Sequence, residues 1–174
     1  MDNKPETLNS TSTTTLNNIV FLDIDGVLHP PGAVTFTITK DRYLQVVGTE
    51  LFRWTHHLLE ILKDFPEVRI IIHSSWRTVF GWNYIKDTLP SDIIDLTLGV
   101  TNEGIAIRYM SILDTVEEFG ITDYVILDDE HKAFPWEIKE LIRVYPEVGM
   151  SHDLTKDLLR YKLGQMKFSN EKNS

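Results

Sequence analysis

Three stretches of the chain are apolar on consecutive positions: NIVFLD at Asn18 to Asp23, VRIIIHS at Val68 to Ser74, and Tyr124 to Leu127. Continuous apolar runs of four to eight residues mark strands buried on both faces. Segments with helical spacing separate them. Thr49 to Asp64 carries Leu51, Leu58, Leu59 and Leu62, with Thr49 as its expected N-cap and Pro66 as its stop. Val79 to Thr88 is expected to be helical and to end before Pro90. Ile105 to Phe119 sets Ile105, Tyr109, Ile112 and Val116 on one stripe, and Gly120 follows its end. Pro135 to Arg143 reads as a further helix, with short strands over Ile93 to Val100 and Val144 to Met150. Val34 to Val47 alternates apolar and polar on both sides of Lys40-Asp41-Arg42, which predicts a β-hairpin. Apolar strands alternating with amphipathic helices predict an α/β class, a Rossmann-like three-layer sandwich around a central parallel sheet.

A parallel sheet with right-handed crossovers presents all its strand C-termini at one edge, where ligands bind. Three of the predicted strands end in polar groups: Asp23 and Asp25, Ser74 and Ser75, and Asp128 and Asp129. These pairs are distant in sequence and are expected to meet in space. Carboxylates gathered there repel: at ~4 Å and an effective dielectric of ~20, each like-charged pair costs on the order of 4 kcal/mol. A divalent cation relieves that cost, and an all-oxygen ligand set favours Mg2+. Mg2+ keeps several waters and bridges to phosphate, so a phosphoryl substrate is expected. Ser74 or Ser75, leading into a helix, would offer hydroxyl and backbone N–H donors to it.

DIDGVL at 23–28, IIIHSSWR at 70–77 and VILDDE at 125–130 together resemble three motifs of the haloacid dehalogenase (HAD) superfamily. The resemblance runs from about Ile19 to Leu159. With the SSWR, ILDD and VGMSHDL segments it is most similar to the small HAD domains associated with RNA-repair proteins. It implies a phosphatase in which Asp23 is the nucleophile that becomes an aspartyl phosphate and Asp25 is the acid and base. It implies Mg2+ held by the Asp23 carboxylate, the Asp25 carbonyl and Asp128 or Asp129. Ser74, with Ser75 as the alternative, would hold a phosphoryl oxygen. Gly26 would turn the chain and leave room for the phosphate, and His29 is a candidate substrate contact. The family's third motif is usually Lys. No lysine lies between Lys86 and Lys132, so Arg108 is the expected clamp, with those two lysines as substitutes. His73, inside an apolar strand, reads as a core histidine, and Trp76 and Arg77 as residues bracing their loop.

The hairpin is the main insertion after the first motif, so the cap is minimal, a β-hairpin flap over an open cleft. Open-cleft members of the superfamily often act on macromolecular phosphates, so the resemblance implies a nucleotide, a nucleic-acid end or another macromolecular phosphate as substrate; Lys40 and Arg42 at the hairpin tip read first as solvated turn charges, with contact to that substrate as the alternative. The alternative is a catalytically weak HAD-like module that binds a phosphorylated partner. A calcium loop is disfavoured because Val34, not Glu, stands at its twelfth position. A receiver-like phosphoacceptor is disfavoured because the acidic pair comes late. A toprim-type module needs a Glu on an earlier strand, and none precedes Asp23.

The expected organisation is a Ser/Thr/Asn-rich tail at 1–17, one domain at 18–165 with the hairpin insertion at about 33–48, and a frayed end at 166–174. The chain has 174 residues, no cysteine and a net charge of −9. That balance argues against strong nonspecific nucleic-acid binding. Disulfides and thiolate metal sites are excluded. No apolar run reaches the ~20 residues of a membrane helix, and the N-terminus lacks a secretory signal's apolar core. A cytoplasmic protein without a membrane partner is expected.

Overall fold

The structure, a computed structural model, describes residues 16–37, 43–46 and 51–166. Five parallel strands form one sheet in the order β5-β4-β1-β6-β7: β1 is Ile19–Leu22, β4 Arg69–Ile72, β5 Thr97–Val100, β6 Tyr124–Asp128 and β7 Leu141–Arg143. Helices cover both faces, giving the α/β, Rossmann-like sandwich expected. β1 is central, paired in register with β4 (Leu22 beside Ile72) and β6 (Leu22 beside Leu127). Chain order reverses on either side of β1, so the C-terminal ends of β1, β4 and β6 form the crevice of an open α/β sheet.

Side-chain alternation along the strands builds two cores. Val20, Leu22, Ile70, Ile72, Val125 and Leu127 face one side, with Leu58 and Ile61 of α1 (Thr55–Leu62) and Leu159 and Leu163 of α6 (Asp153–Gln165). Ile19, Phe21, Ile71 and Ile126 face the other, with Ile112 of α5 (Arg108–Phe119) and Phe134. All four residues of β1 are buried, and each such side chain contributes roughly 1.5–3 kcal/mol of transfer free energy. Gly120 ends α5 at φ 59, the left-handed C-terminal position that favours glycine.

β2 (Val34–Thr37) and β3 (Tyr43–Val46) form the antiparallel hairpin, with Phe36 beside Leu44. Its tip, including Lys40 and Arg42, lies outside the described residues. So do Thr49, most of the expected 1–17 tail, and 167–174.

Five expectations need correction. The helix expected over Thr49–Asp64 begins at Thr55. Phe52 has φ 56, which no helix interior accommodates, and Trp54 N donates to Leu28 O at 3.0 Å, drawing the turn onto the loop after β1. The helix expected over Val79–Thr88 is two, α2 (Trp76–Val79) and α3 (Gly81–Thr88), divided where Gly81 takes φ 78. The first half of Ile93–Val100 completes a helical turn, α4 (Ser91–Ile94), and only the second half is strand. Pro135–Arg143 is not a helix: its end is β7, and a 3-10 turn at His131–Ala133 precedes it. Val144–Met150 is consequently not the last strand. Pro146 has no N–H for a ladder, and Gly149 N turns back to Tyr145 O at 2.8 Å. The helix α6, with Thr155, Leu159 and Leu163 buried four residues apart, carries a legible helical period that the expectations leave unassigned.

Candidate active site

Strand pairing brings the acids together. Asp23 follows β1 and Asp128 ends β6, and those strands pair in register, so their backbones lie one strand spacing apart, ~4.8 Å. Asp23 shares a face with Phe21, His73 with Ile71, and Asp128 with Ile126, by the two-residue alternation of a strand. All three therefore point toward the face covered by α5. Arg108 stands four residues before the buried Ile112, on the same stripe of that helix. Strand and helix periods thus converge on one spot.

There the Arg108 Nη1 donates to Asp23 Oδ2 and, at 2.8 Å, to Asp128 Oδ2. Asp23 Oδ1 accepts the Ile24 N–H at 2.8 Å, and Asp128 Oδ1 accepts that of Glu130. Asp129 completes the group: ligand oxygens of Asp23, Asp128 and Asp129 all lie within 4.8 Å of one another. The space that Gly26 was expected to leave for phosphate is taken by Asp129, since a Cβ on Gly26 would run into that carboxylate. Lys86 and Lys132, the substitutes for Arg108, are exposed, and no ion pair among the described residues ties either to the acids.

The remaining residues fall around this centre. Ser74 is fully buried at the end of β4, and Ser75 beside it is half-buried at the start of α2. Ser74 Oγ accepts the Trp76 N–H at 3.4 Å, which leaves its hydroxyl hydrogen for another acceptor. The Asp25 carboxylate stands outside the metal-ready group, bonded to His29 and Trp76, so only its carbonyl is left for the metal role expected of it. His29 is fully buried, and its Nε2 lies 3.0 Å from Asp25 Oδ1.

A family model of the HAD domain in Swiss Army Knife RNA repair proteins matches residues 19–154. The chain belongs to that family. No curated protein matches it at a significant level.

In this HAD domain the residues expected as a hydrogen-bonded core histidine and a loop brace, His73 and Arg77, find partners at the site itself. His73 Nε2 lies 2.8 Å from Asp128 Oδ2 and is fully buried. Burial, and then the charges of Arg108 and Arg77, push its pKa well below the usual histidine value. The ring is therefore neutral, and Nε2–H donates to the carboxylate. The nearest sequence signal was its position one residue before Ser74. Arg77 is the second. Its Nη1 donates to the carbonyls of His73 and Ser74, both at 3.1 Å, and its Nη2 to Ile105 O at 2.6 Å and Ser111 Oγ at 3.1 Å. One buried guanidinium thus ties the serine loop to the start of the helix carrying Arg108.

Charge at the centre is unbalanced. Three carboxylates face one guanidinium, leaving two formal negative charges, the complement of one divalent cation. Burial, and then the charge of Asp23, raise the pKa of Asp129 to about 7. The same two causes raise Asp128, against the opposing pull of Arg108. Arg108 is itself held above its ordinary value: burial lowers it, but Asp23 and Asp128 together outweigh burial. An all-carboxylate set held this close, with two members that resist ionising alone, fits Mg2+.

A pH dependence follows. Both carboxyls have folded-state pKa values above the unfolded ~3.9. Their favourable contribution is complete below about pH 4 and is lost as pH rises toward 7 and beyond, because the folded state binds more protons across that window. Mg2+ held by these carboxylates would need both ionised, so its binding would release protons and tighten with pH. At 100-fold excess over Kd, Mg2+ should add ~2.7 kcal/mol, or roughly 5–10 °C in Tm for a domain of this size. Thermal melts with and without Mg2+ should show a larger shift at pH 8 than at pH 6. An equal shift at both would contradict the assignment of these carboxylates as its ligands.

Proposed function

We propose that this HAD domain is a Mg2+-dependent phosphatase that hydrolyses a phosphomonoester through an aspartyl phosphate on Asp23. The observation that carries the reading is the meeting of Asp23 with Asp128, Asp129 and Arg108 at one sheet edge. Asp23, Asp128 and Asp129, with the Asp25 carbonyl, would hold Mg2+, which supplies charge neutralisation for the phosphoryl oxygens. Asp23 attacks phosphorus as the bond to the leaving oxygen breaks, and that oxygen takes a proton from Asp25. Water then attacks the phosphorus of the aspartyl phosphate, returns a proton to Asp25 and frees phosphate and Asp23. Arg108 presents a permanent, forked charge to the phosphoryl group. The Ser74 hydroxyl donates to one of its oxygens.

The relatives' description as RNA repair proteins supports a phosphate on a nucleic-acid end as substrate. A net charge of −9 favours recognition of that end over binding along the strand. No described helix is long and apolar enough to cross a membrane, and a cytoplasmic protein is the setting we propose. The test is a panel of 3′- and 5′-phosphorylated oligonucleotides, mononucleotides, sugar phosphates and phosphopeptides, each assayed with Mg2+ and with EDTA. Mg2+-dependent release of phosphate, fastest from one class of oligonucleotide end, is expected. Binding of phosphorylated ends without release would instead identify a silent phosphate-binding module.

A further inference from the structure

Asp25 is held from two sides. The Trp76 indole Nε1–H donates to Oδ2 at 2.6 Å, and His29 Nε2 lies 3.0 Å from Oδ1. Both rings are fully buried, whereas the Asp25 side chain is 28% exposed. The rings are themselves fixed. His29 meets Phe52 edge-on at 5.3 Å and lies 6.1 Å from Trp76, and Trp76 meets Phe80 edge-on at 5.8 Å. Gly26 N donates to His29 O at 2.8 Å, closing the turn that sets His29 beside the acid. The buried indole N–H requires an acceptor, and the one it takes is the carboxylate of Asp25.

We propose that Trp76 is a positioning residue for the acid–base carboxylate Asp25, with His29 as its second support. An indole N–H can only donate, so Oδ2 remains an acceptor throughout, and the plane of the carboxyl group is set by the ring. Trp76 opens the helix that follows Ser74, so the segment that offers a phosphate ligand also orients the acid serving the leaving group. This inference rests on the phosphatase reading.

The test compares wild type, Trp76→Phe and Asp25→Ala on 4-nitrophenyl phosphate and 4-nitrobenzyl phosphate. The two esters are alike in shape, but only the benzyl alkoxide needs a proton to depart. General acid catalysis contributes ~10²–10⁴-fold. Asp25→Ala should therefore lower kcat/KM on the benzyl ester by about 10²-fold more than on the phenyl ester, and Trp76→Phe by about 10-fold more. A purely structural role for Trp76 predicts equal losses on both esters. Equal losses in Trp76→Phe beside unequal losses in Asp25→Ala would overturn the inference and leave the phosphatase reading standing. Equal losses in Asp25→Ala would remove Asp25 as the acid, and the inference with it. The bond has a readout without turnover. The Trp76 indole proton, assigned in the wild-type protein through its contacts with the Phe80 ring, should lie downfield and move upfield in Asp25→Ala. No movement would overturn the proposal even if Trp76→Phe fails to fold.

Discussion

Asp23→Asn should lower turnover of 4-nitrophenyl phosphate by about 10³-fold or more, the order expected when a covalent nucleophile is lost. An amide cannot attack phosphorus, and whatever activity remains reflects binding and charge stabilisation alone. The fold should survive the change. The substituted amide keeps an oxygen for the Ile24 N–H, and removing one of three crowded carboxylates relieves the repulsion that raises Asp128 and Asp129, which offsets the lost ion pair where the new NH2 group faces Arg108. A Tm within a few degrees of wild type in the absence of Mg2+ is therefore expected (a shift of about 1 kcal/mol or less), so the lost activity can be separated from unfolding. Steady-state assays and melts on the same preparations provide both numbers. Activity equal to wild type would remove Asp23 from the nucleophile's place.

Arg77→Met should cost the most stability. The guanidinium is 1% exposed and donates to three carbonyls and the Ser111 hydroxyl. Hydrogen bonds from a charged donor contribute ~1.5–3 kcal/mol each, and they do not add fully when one group makes them all. Met fills much of the volume but leaves four acceptors, three of them buried, without that donor. A loss of roughly 3–5 kcal/mol follows, or about 10 °C or more in Tm. Activity should fall even well below the new Tm, because Arg77 sets the serine loop against the start of α5 and so fixes the separation of Ser74 and Arg108. Denaturant melts and assays at low temperature separate the two effects. A change under about 1 kcal/mol would mean that this network is not what joins the two elements.

The central sheet was legible because its strands are buried on both faces, which leaves unbroken apolar runs that few other elements share. The acids were legible for a related reason: charge at the end of such a run has to lie at the ligand-binding edge. Arg108 was reachable only through the family resemblance, whose basic third motif has no lysine to fill it between Lys86 and Lys132. The segment from Pro135 to Met150 was misread. β7 is three residues long and sits at the sheet edge, too short for any period to show, and the segment before it imitates a helix in composition alone. Pro146 was the available warning against a following strand. The role of His73 could not be read, because its bond to Asp128 joins residues 55 positions apart across β1. The same holds for the Trp76–Asp25 bond, which spans 51 positions. Burial was predictable in both cases. The polar partner was a product of tertiary packing.

Trapping the phosphoenzyme tests the central claim most directly. Enzyme turning over a phosphomonoester with Mg2+ is quenched with borohydride, which reduces an aspartyl phosphate to homoserine, and the peptides are read by mass spectrometry. Homoserine at position 23, absent without substrate and absent in Asp23→Asn, is the predicted result. Substrate consumed with residue 23 unmodified, or homoserine found at position 128 or 129 instead, would contradict it.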